Sequence, residues 1–366
     1  MKSSTGQYYI GLDHVRAVAI FIVYTWHFIH VGNGHQALPP IFPFSILMEG
    51  HTGVGLFMVL SGYLFAKILD GRQILYRQFL WNRVLRLAPI LMLVIAIIGI
   101  REFAAGRDMF FWGKSILEGL IKPTLPNGGW SITVEFHFYL LLPLLLFLGK
   151  KWKYALIMVL MAAVALRIIL YQELGQIQTL SYWTIIGRVD QFILGILCFR
   201  FRKAILGKHL WVILVLVLFA LFYRYFDSLG GFYMNPSYPS PSPIWIYMPT
   251  IEGLAYALSI AWYDISFSHS KGKISRFIAL IGTYSYSIYL FHFFIVFQIS
   301  DFIHTRLVDL SNSYLAMGFS FLTFFVMVPI GYLSYTFIET PFLKLRTKYV
   351  TEKKPPALHH LQKNVR

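Results

Sequence analysis

Ten separate apolar stretches, each close to the length of a membrane span, take up most of this 366-residue chain. They run at 12–31, 51–69, 82–100, 130–148, 154–171, 182–199, 210–226, 248–264, 278–298 and 314–336. About 20 apolar residues wound as a helix cross the ~30 Å hydrocarbon core, and a helix satisfies its own backbone polar groups there. A content of 57% hydrophobic and 13% charged residues is too apolar for one soluble core. The expected fold is all-α: a polytopic integral membrane protein of about ten transmembrane helices.

The formal charge is +16, which in a soluble chain would point to nucleic acid. Here nearly all the Lys and Arg residues fall in short connections on alternate sides of the apolar stretches. Lys67, Arg72, Arg77, Arg83 and Arg86 lie between the second and third, and Lys150, Lys151 and Lys153 follow the fourth; Arg200, Arg202, Lys203 and Lys208 follow the sixth, and Lys271, Lys273 and Arg276 the eighth. The connections at 172–181 and 227–247 hold none. The positive-inside rule makes the basic connections and both termini cytoplasmic, so membrane lipids and not nucleic acid are the expected partners. A lone cysteine, Cys198, leaves no intramolecular disulfide and excludes a two-cysteine metal site. The first apolar stretch is too long and too charged at its start for a cleaved signal peptide and reads as retained. The prolines between 229 and 249 predict an outer-face loop and no helix. The domain division is a transmembrane domain at 1–348 and a polar, disordered cytoplasmic tail at 349–366.

Ionisable groups inside a span are expensive and therefore candidate site residues. Arg16 and His27 stand eleven residues apart in the first span, so they project from one helix face roughly 16 Å apart along the axis. The bland reading of Arg16 is a snorkelling or helix-pairing cation. The fourth span runs the opposite way from the first and opens on Gly128, Gly129, Trp130 and Ser131, with Glu135 a turn and a half further in. That places Glu135 at a depth comparable with His27. A carboxylate beside an imidazole orients the ring and fixes its tautomer, as a general base requires. The competing arrangement sets Glu135 against Arg188 or the neighbourhood of Asp190 in the sixth span.

At the start of the third span, Arg83 and Arg86 stand three residues apart on one face, a spacing suited to gripping a polyphosphate. Interfacial arginines also bind lipid headgroups and set topology. Small residues at Gly55, Ser61 and Gly62 serve close helix packing or shape a channel equally well. His292, in a span rich in aromatics, reads on its own as a satisfied core histidine. There is no HExxH, phosphate-binding glycine loop or Gly-x-Ser-x-Gly elbow, which leaves hydrolase and ATPase readings without support.

Several separated strings, taken together, resemble the membrane acyltransferase 3 family, whose bacterial members O-acylate glycans and related surface molecules. They are GLDHVRAVAIFIVYTWH at 11–27, GVGLFMVLSGYLF at 53–65, the Arg83 and Arg86 pair, WSITVEFHFY at 130–139, GRVDQFILGIL at 187–197, GTYSYSIYLFH at 282–292 and IETPF at 338–342. Their order and spacing carry the likeness. The chain departs from the family pattern at Gly55, where Asp is frequent, at His14, where Gly is common, and at Thr340 within the closing Glu-Arg-Pro.

The resemblance implies that His27, Arg16 and Glu135 are catalytic, and that Arg83, Arg86, Trp130, Ser131, Arg188 and His292 bind donor and substrate. It further implies a cytoplasmic acyl-CoA donor, commonly acetyl-CoA, with no tightly bound cofactor and no metal. The acceptor would be a hydroxyl of a cell-surface glycan or glycolipid, in a bacterial inner membrane, alongside separate glycan-assembly proteins. With no appended extracellular domain after the last span, handing the acyl group to a soluble domain would need another protein. The rival reading is a transporter or flippase of a glycolipid that uses the polar first helix as its path; the broken paired helices of many transporters are missing.

Overall fold

The computed structural model describes residues 8–30 and 42–352. Ten helices carry the apolar stretches: α1 Ile10–Ile29, α2 Thr52–Ile68, α3 Tyr76–Ala104, α4 Gly129–Lys151, α5 Ala155–Leu174, α6 Ile185–Arg200, α7 His209–Ser228, α8 Ile244–Ser266, α9 Lys273–Phe291 and α10 Ser313–Leu343. Val31, the expected end of the first span, falls outside the described residues. Eight of the ten are long and apolar enough to cross a membrane. The other two, α2 with 17 residues and α6 with 16, are shorter than a full span, about 25 Å at 1.5 Å per residue.

Their position explains why shortness is tolerated. α2 and α6 pack on each other inside the bundle, with α8 against both. Gly62 on α2 meets the backbone of Phe192, and Gly195 on α6 meets the backbone of Val59, so a side chain at either glycine has no room. Small residues that let two backbones approach are the usual basis of helix association in lipid. α1 is equally central, packing on α2, α9 and α10, with 72% of its span buried against 22% for α5. Peripheral α5 and α7 turn Met158, Met161, Leu210 and Leu218 outward, the surface that lipid requires.

Several charges inside the bundle are paired, as a low-dielectric interior favours. Arg167 on α5 meets Asp190 on α6 at 2.6 Å, and Arg188 on α6 meets Glu252 on α8 at 3.3 Å. Near the end of α2, Lys67 meets Asp264 of α8 at 2.6 Å.

Two expectations change. The segment expected to be loop through 249 turns helical at Ile244, and Pro249 lies inside α8. Proline removes the helical hydrogen bond to the carbonyl four residues back, here that of Trp245; at the next carbonyl, Arg167 Nε donates to Ile246 at 2.8 Å and ties this turn of α8 to α5. The polar tail also begins later than expected. Strand β1 Arg72–Ile74 pairs antiparallel with strand β2 Val350–Glu352, and the Leu75 N–H donates to the Tyr349 carbonyl at 2.8 Å. The expected tail at 349 therefore starts with ordered residues, while 353–366 lie outside the described residues. The strand pair also puts the basic connection after α2 and the segment after α10 on one face.

Candidate active site

Among the described residues, two of the cavities lie toward opposite ends of the bundle, one at the basic end, termed inner, and one at the end of α1, termed outer. The inner one, about 110 Å³, has Arg83 and Arg86 of α3, Arg16 of α1, Glu135 and Tyr139 of α4 and Ser61 of α2 in its wall. The outer one, about 630 Å³, has His27 in its wall among Trp26, Trp130, Tyr182, Trp183, Tyr233, Phe293 and Phe297. Val54 and Tyr289 belong to both walls. These two residues mark where the cavities come closest.

His27 sits two residues before the end of α1, with the rings of Phe293 and Trp26 at 4.5 and 4.7 Å between centroids. Its Nδ1 lies 3.0 Å from the Val23 carbonyl oxygen and 3.2 Å from His292 Nε2. His292 Nδ1 in turn lies 2.6 Å from the Tyr289 carbonyl oxygen. A carbonyl only accepts, so His292 carries its proton on Nδ1 and presents a lone pair at Nε2. His27 Nδ1 then faces two acceptors and must donate. In the neutral tautomer assigned from these partners, His27 Nε2 bears a lone pair, on a ring that lines the outer cavity.

Glu135 is not His27's partner. It accepts from Ser61 Oγ at 3.0 Å and from the Tyr139 hydroxyl, inside the inner cavity. Glu135 stands six residues into α4, about 9 Å from the helix start, whereas His27 is only about 3 Å from the end of α1. The expected equal depth does not hold. Nor does Glu135 meet Arg188, which donates from Nε to the Tyr182 carbonyl at 2.8 Å, pairs with Glu252 and lies 4.4 Å from the Tyr182 ring. Arg188 thus buttresses the aromatic wall of the outer cavity from behind.

Arg16 pairs with Asp13, three residues earlier, and lines the inner cavity. With its base some 16 Å along α1 from His27, it serves the inner end only. Trp130 and Ser131, neighbours in sequence, face different cavities. Trp130 stacks edge-on to Trp183 at 4.5 Å, and Ser131 Oγ donates to the Tyr289 hydroxyl at 2.9 Å. Both are positioned by the start of α4, where Gly128 adopts φ +75° with the Tyr289 ring packed where a Cβ would stand. Arg83 is caged by Phe65, Phe79, Tyr139 and Tyr349, with ring centroids 5.3 to 5.9 Å from Cζ. Arg86 faces the carboxylates of Glu339 and Glu135, and Glu339 is held by Ser287 Oγ at 2.6 Å.

Sequence reasoning passed over Tyr139 and Tyr289 as parts of these walls, and Asp13 and Glu339 as the carboxylates facing Arg16 and Arg86. Asp13 and Tyr139 had a signal, since they stand three and four residues from Arg16 and Glu135 on a shared helix face. Glu339 closes a π-helical turn at Tyr335–Glu339, a local widening frequent at functional sites.

The acyltransferase-domain family profile (acyltransferase 3) matches residues 9–336, and the chain belongs to this family. Among curated proteins, a Staphylococcus aureus (strain COL) protein provisionally named an O-acetyltransferase is 24% identical over 92% of this chain and 58% of its own length. Peptidoglycan O-acetyltransferase OatA of Listeria monocytogenes is 24% identical over 92% of this chain and 56% of its own length. Nodulation protein 10 of Rhizobium leguminosarum bv. viciae is 26% identical over 38% of this chain and 44% of its own length. The chain thus spans somewhat over half the length of the first two. No solved structure gives a significant match. The protein is an acyltransferase-family member with a multi-pass helical membrane fold.

Proposed function

We propose that the protein moves an acyl group, acetyl in the simplest case, from a cytoplasmic acyl-CoA to a hydroxyl of a glycan or glycolipid on the far side of a bacterial inner membrane. The donor approaches from the basic face with its phosphates toward Arg83 and Arg86, and its thioester enters the inner cavity. The acceptor hydroxyl occupies the outer cavity beside His27. His27 Nε2 takes the hydroxyl proton as the oxygen attacks the thioester carbonyl beside Val54 and Tyr289. The carbon–sulfur bond breaks, the imidazolium proton passes to the departing sulfur, and the products are an ester and CoA thiol.

The observation that carries this reading is the placement of His27: its Nδ1 proton is held by two acceptors, and it lines a cavity that shares Val54 and Tyr289 with the arginine-lined one. The names of the longer relatives, which specify O-acetyl transfer, support an ester product. Family membership favours transfer over export of an intact glycolipid. The test supplies radiolabelled acetyl-CoA to membrane vesicles with the basic face exposed and follows label into glycan. His27→Ala should abolish the transfer; a His27→Ala protein that still acylates at the unaltered rate overturns the reading.

A further inference from the structure

Arg346 has no part in the reading above, yet the fold carries it to the arginine-lined end. The segment after α10 is bound down as a strap across the start of α3. Asn82 grips Thr347 from both sides, Nδ2 donating to its carbonyl at 2.6 Å and Oδ1 accepting from its N–H at 3.1 Å. Two residues on, the Tyr349 ring packs 5.7 Å from Arg83 Cζ. Arg346 lies at the head of this strap, with Nε donating to the Leu343 carbonyl at 3.2 Å. Burial, then the charges of Arg86 and Arg83, lowers Arg346 to about 10, so it remains a cation at neutral pH beside two others.

Among the described residues, none of the three guanidinium groups has a carboxylate within 4 Å, and Arg83 Nε is buried with no partner. The three guanidinium groups outnumber the carboxylates that face them at longer range, Glu339 and Glu135, so the cluster keeps positive charge and favours a multiply charged anion. Planar guanidinium forks suit phosphate oxygens. We propose that Arg346, presented by the strap, is a third phosphate-binding residue of the donor site and grips the phosphates of acyl-CoA together with Arg83 and Arg86. This rests on the donor reading above and adds a residue and an element to it.

The test measures binding of CoA and of pantetheine, which lacks phosphates, to the full chain in phosphatidylcholine nanodiscs. Arg346→Ala should weaken CoA binding roughly ten- to a hundredfold, the range for one lost charge-assisted hydrogen bond, and flatten its salt dependence. Pantetheine binding should stay unchanged, and Arg346→Lys should recover part of the CoA affinity. Equal CoA affinity in Arg346→Ala and the unaltered protein overturns the proposal, as does an equal loss for CoA and pantetheine, which would mark a purely structural strap. If the unaltered protein binds no CoA, the donor reading itself fails and this proposal with it.

Discussion

His292 Nε2 stands 3.2 Å from His27 Nδ1, an imidazole accepting from an imidazole across two helices 265 residues apart in sequence. This contact fills the orienting role that the sequence suggested for Glu135. When His27 takes a proton on Nε2, the bond from Nδ1 to His292 becomes charge-assisted and strengthens. His292 is therefore a positioning residue that acts through His27.

Replacing His27 with Ala should lower the transfer rate by about 10² to 10⁴, the usual contribution of general-base assistance. Replacing His292 with Phe should lower kcat about ten- to a hundredfold with little change in the acceptor KM, since a charge-assisted bond is lost while the ring's packing is kept. Steady-state kinetics with varied acceptor separate the two effects. A His292→Phe variant that raises KM at constant kcat would show that His292 touches the acceptor and does not orient the base.

Glu135 belongs to the inner cavity, so its loss should register on the donor. Glu135→Ala frees the Tyr139 hydroxyl and removes one of two carboxylates facing Arg86. The expected result is a fall of roughly tenfold to a hundredfold in kcat/KM for acyl-CoA, with the acceptor KM unchanged. An acceptor KM that shifts instead would return Glu135 to the base's cavity.

Gly55 stands where family members often carry Asp, and the structure shows what occupies the space. A Cβ at Gly55 would lie 2.8 Å from Gln191 Nε2 and 2.9 Å from Glu252 Oε2. Glu252, bonded to Arg188, Gln191 and Tyr223, supplies a carboxylate to that volume from another helix. Gly55→Asp should destabilise the fold by about 3 kcal/mol or more by crowding two buried carboxylates, and adding Glu252→Ala should recover much of the loss. Thermal unfolding in detergent reads both variants.

Glu49, in the connection between α1 and α2, is pushed well above the usual carboxylate range by burial, then by the charge of Asp227, against a hydrogen bond from the Phe232 N–H. His51 Nε2 also lies 3.2 Å away. A raised folded value means the native state holds this proton more tightly than the unfolded chain does. The contribution is thus favourable at low pH and falls as pH rises from the ordinary value of 4.5 through the raised one. Melting curves across that window should flatten in Glu49→Gln; an unaltered slope would show that Glu49 does not titrate there.

The bundle was legible because lipid leaves a chain few choices: each apolar stretch had to become a helix, and the basic connections had to share a face. What escaped was set by contacts between helices. α2 and α6 are short because they are sheathed in protein, and their glycine seats on Val59 and Phe192 appear only when the two are packed. Pro249 reads as a helix breaker until its turn is seen packed in the bundle, with Arg167 on the Ile246 carbonyl beside it. Arg16 and His27 were picked out by the cost of charge in lipid, and Arg83 and Arg86 by their spacing at a helix start, yet the assignment of partners depended on depth. An error of about one helical turn sent Glu135 to the wrong cavity. His292, read on its own as core, could not be joined to His27 without the crossing of α1 and α9.

The approach of the two cavities at Val54 and Tyr289 has a consequence for the energy of the cell that houses the protein. A continuous watery passage through a membrane under voltage would dissipate protons and sodium at every turnover. With donor and acceptor meeting where the two cavities share Val54 and Tyr289, a small neutral fragment can change owners while no conduit opens, so on the proposed reading surface decoration proceeds without draining the ion gradient.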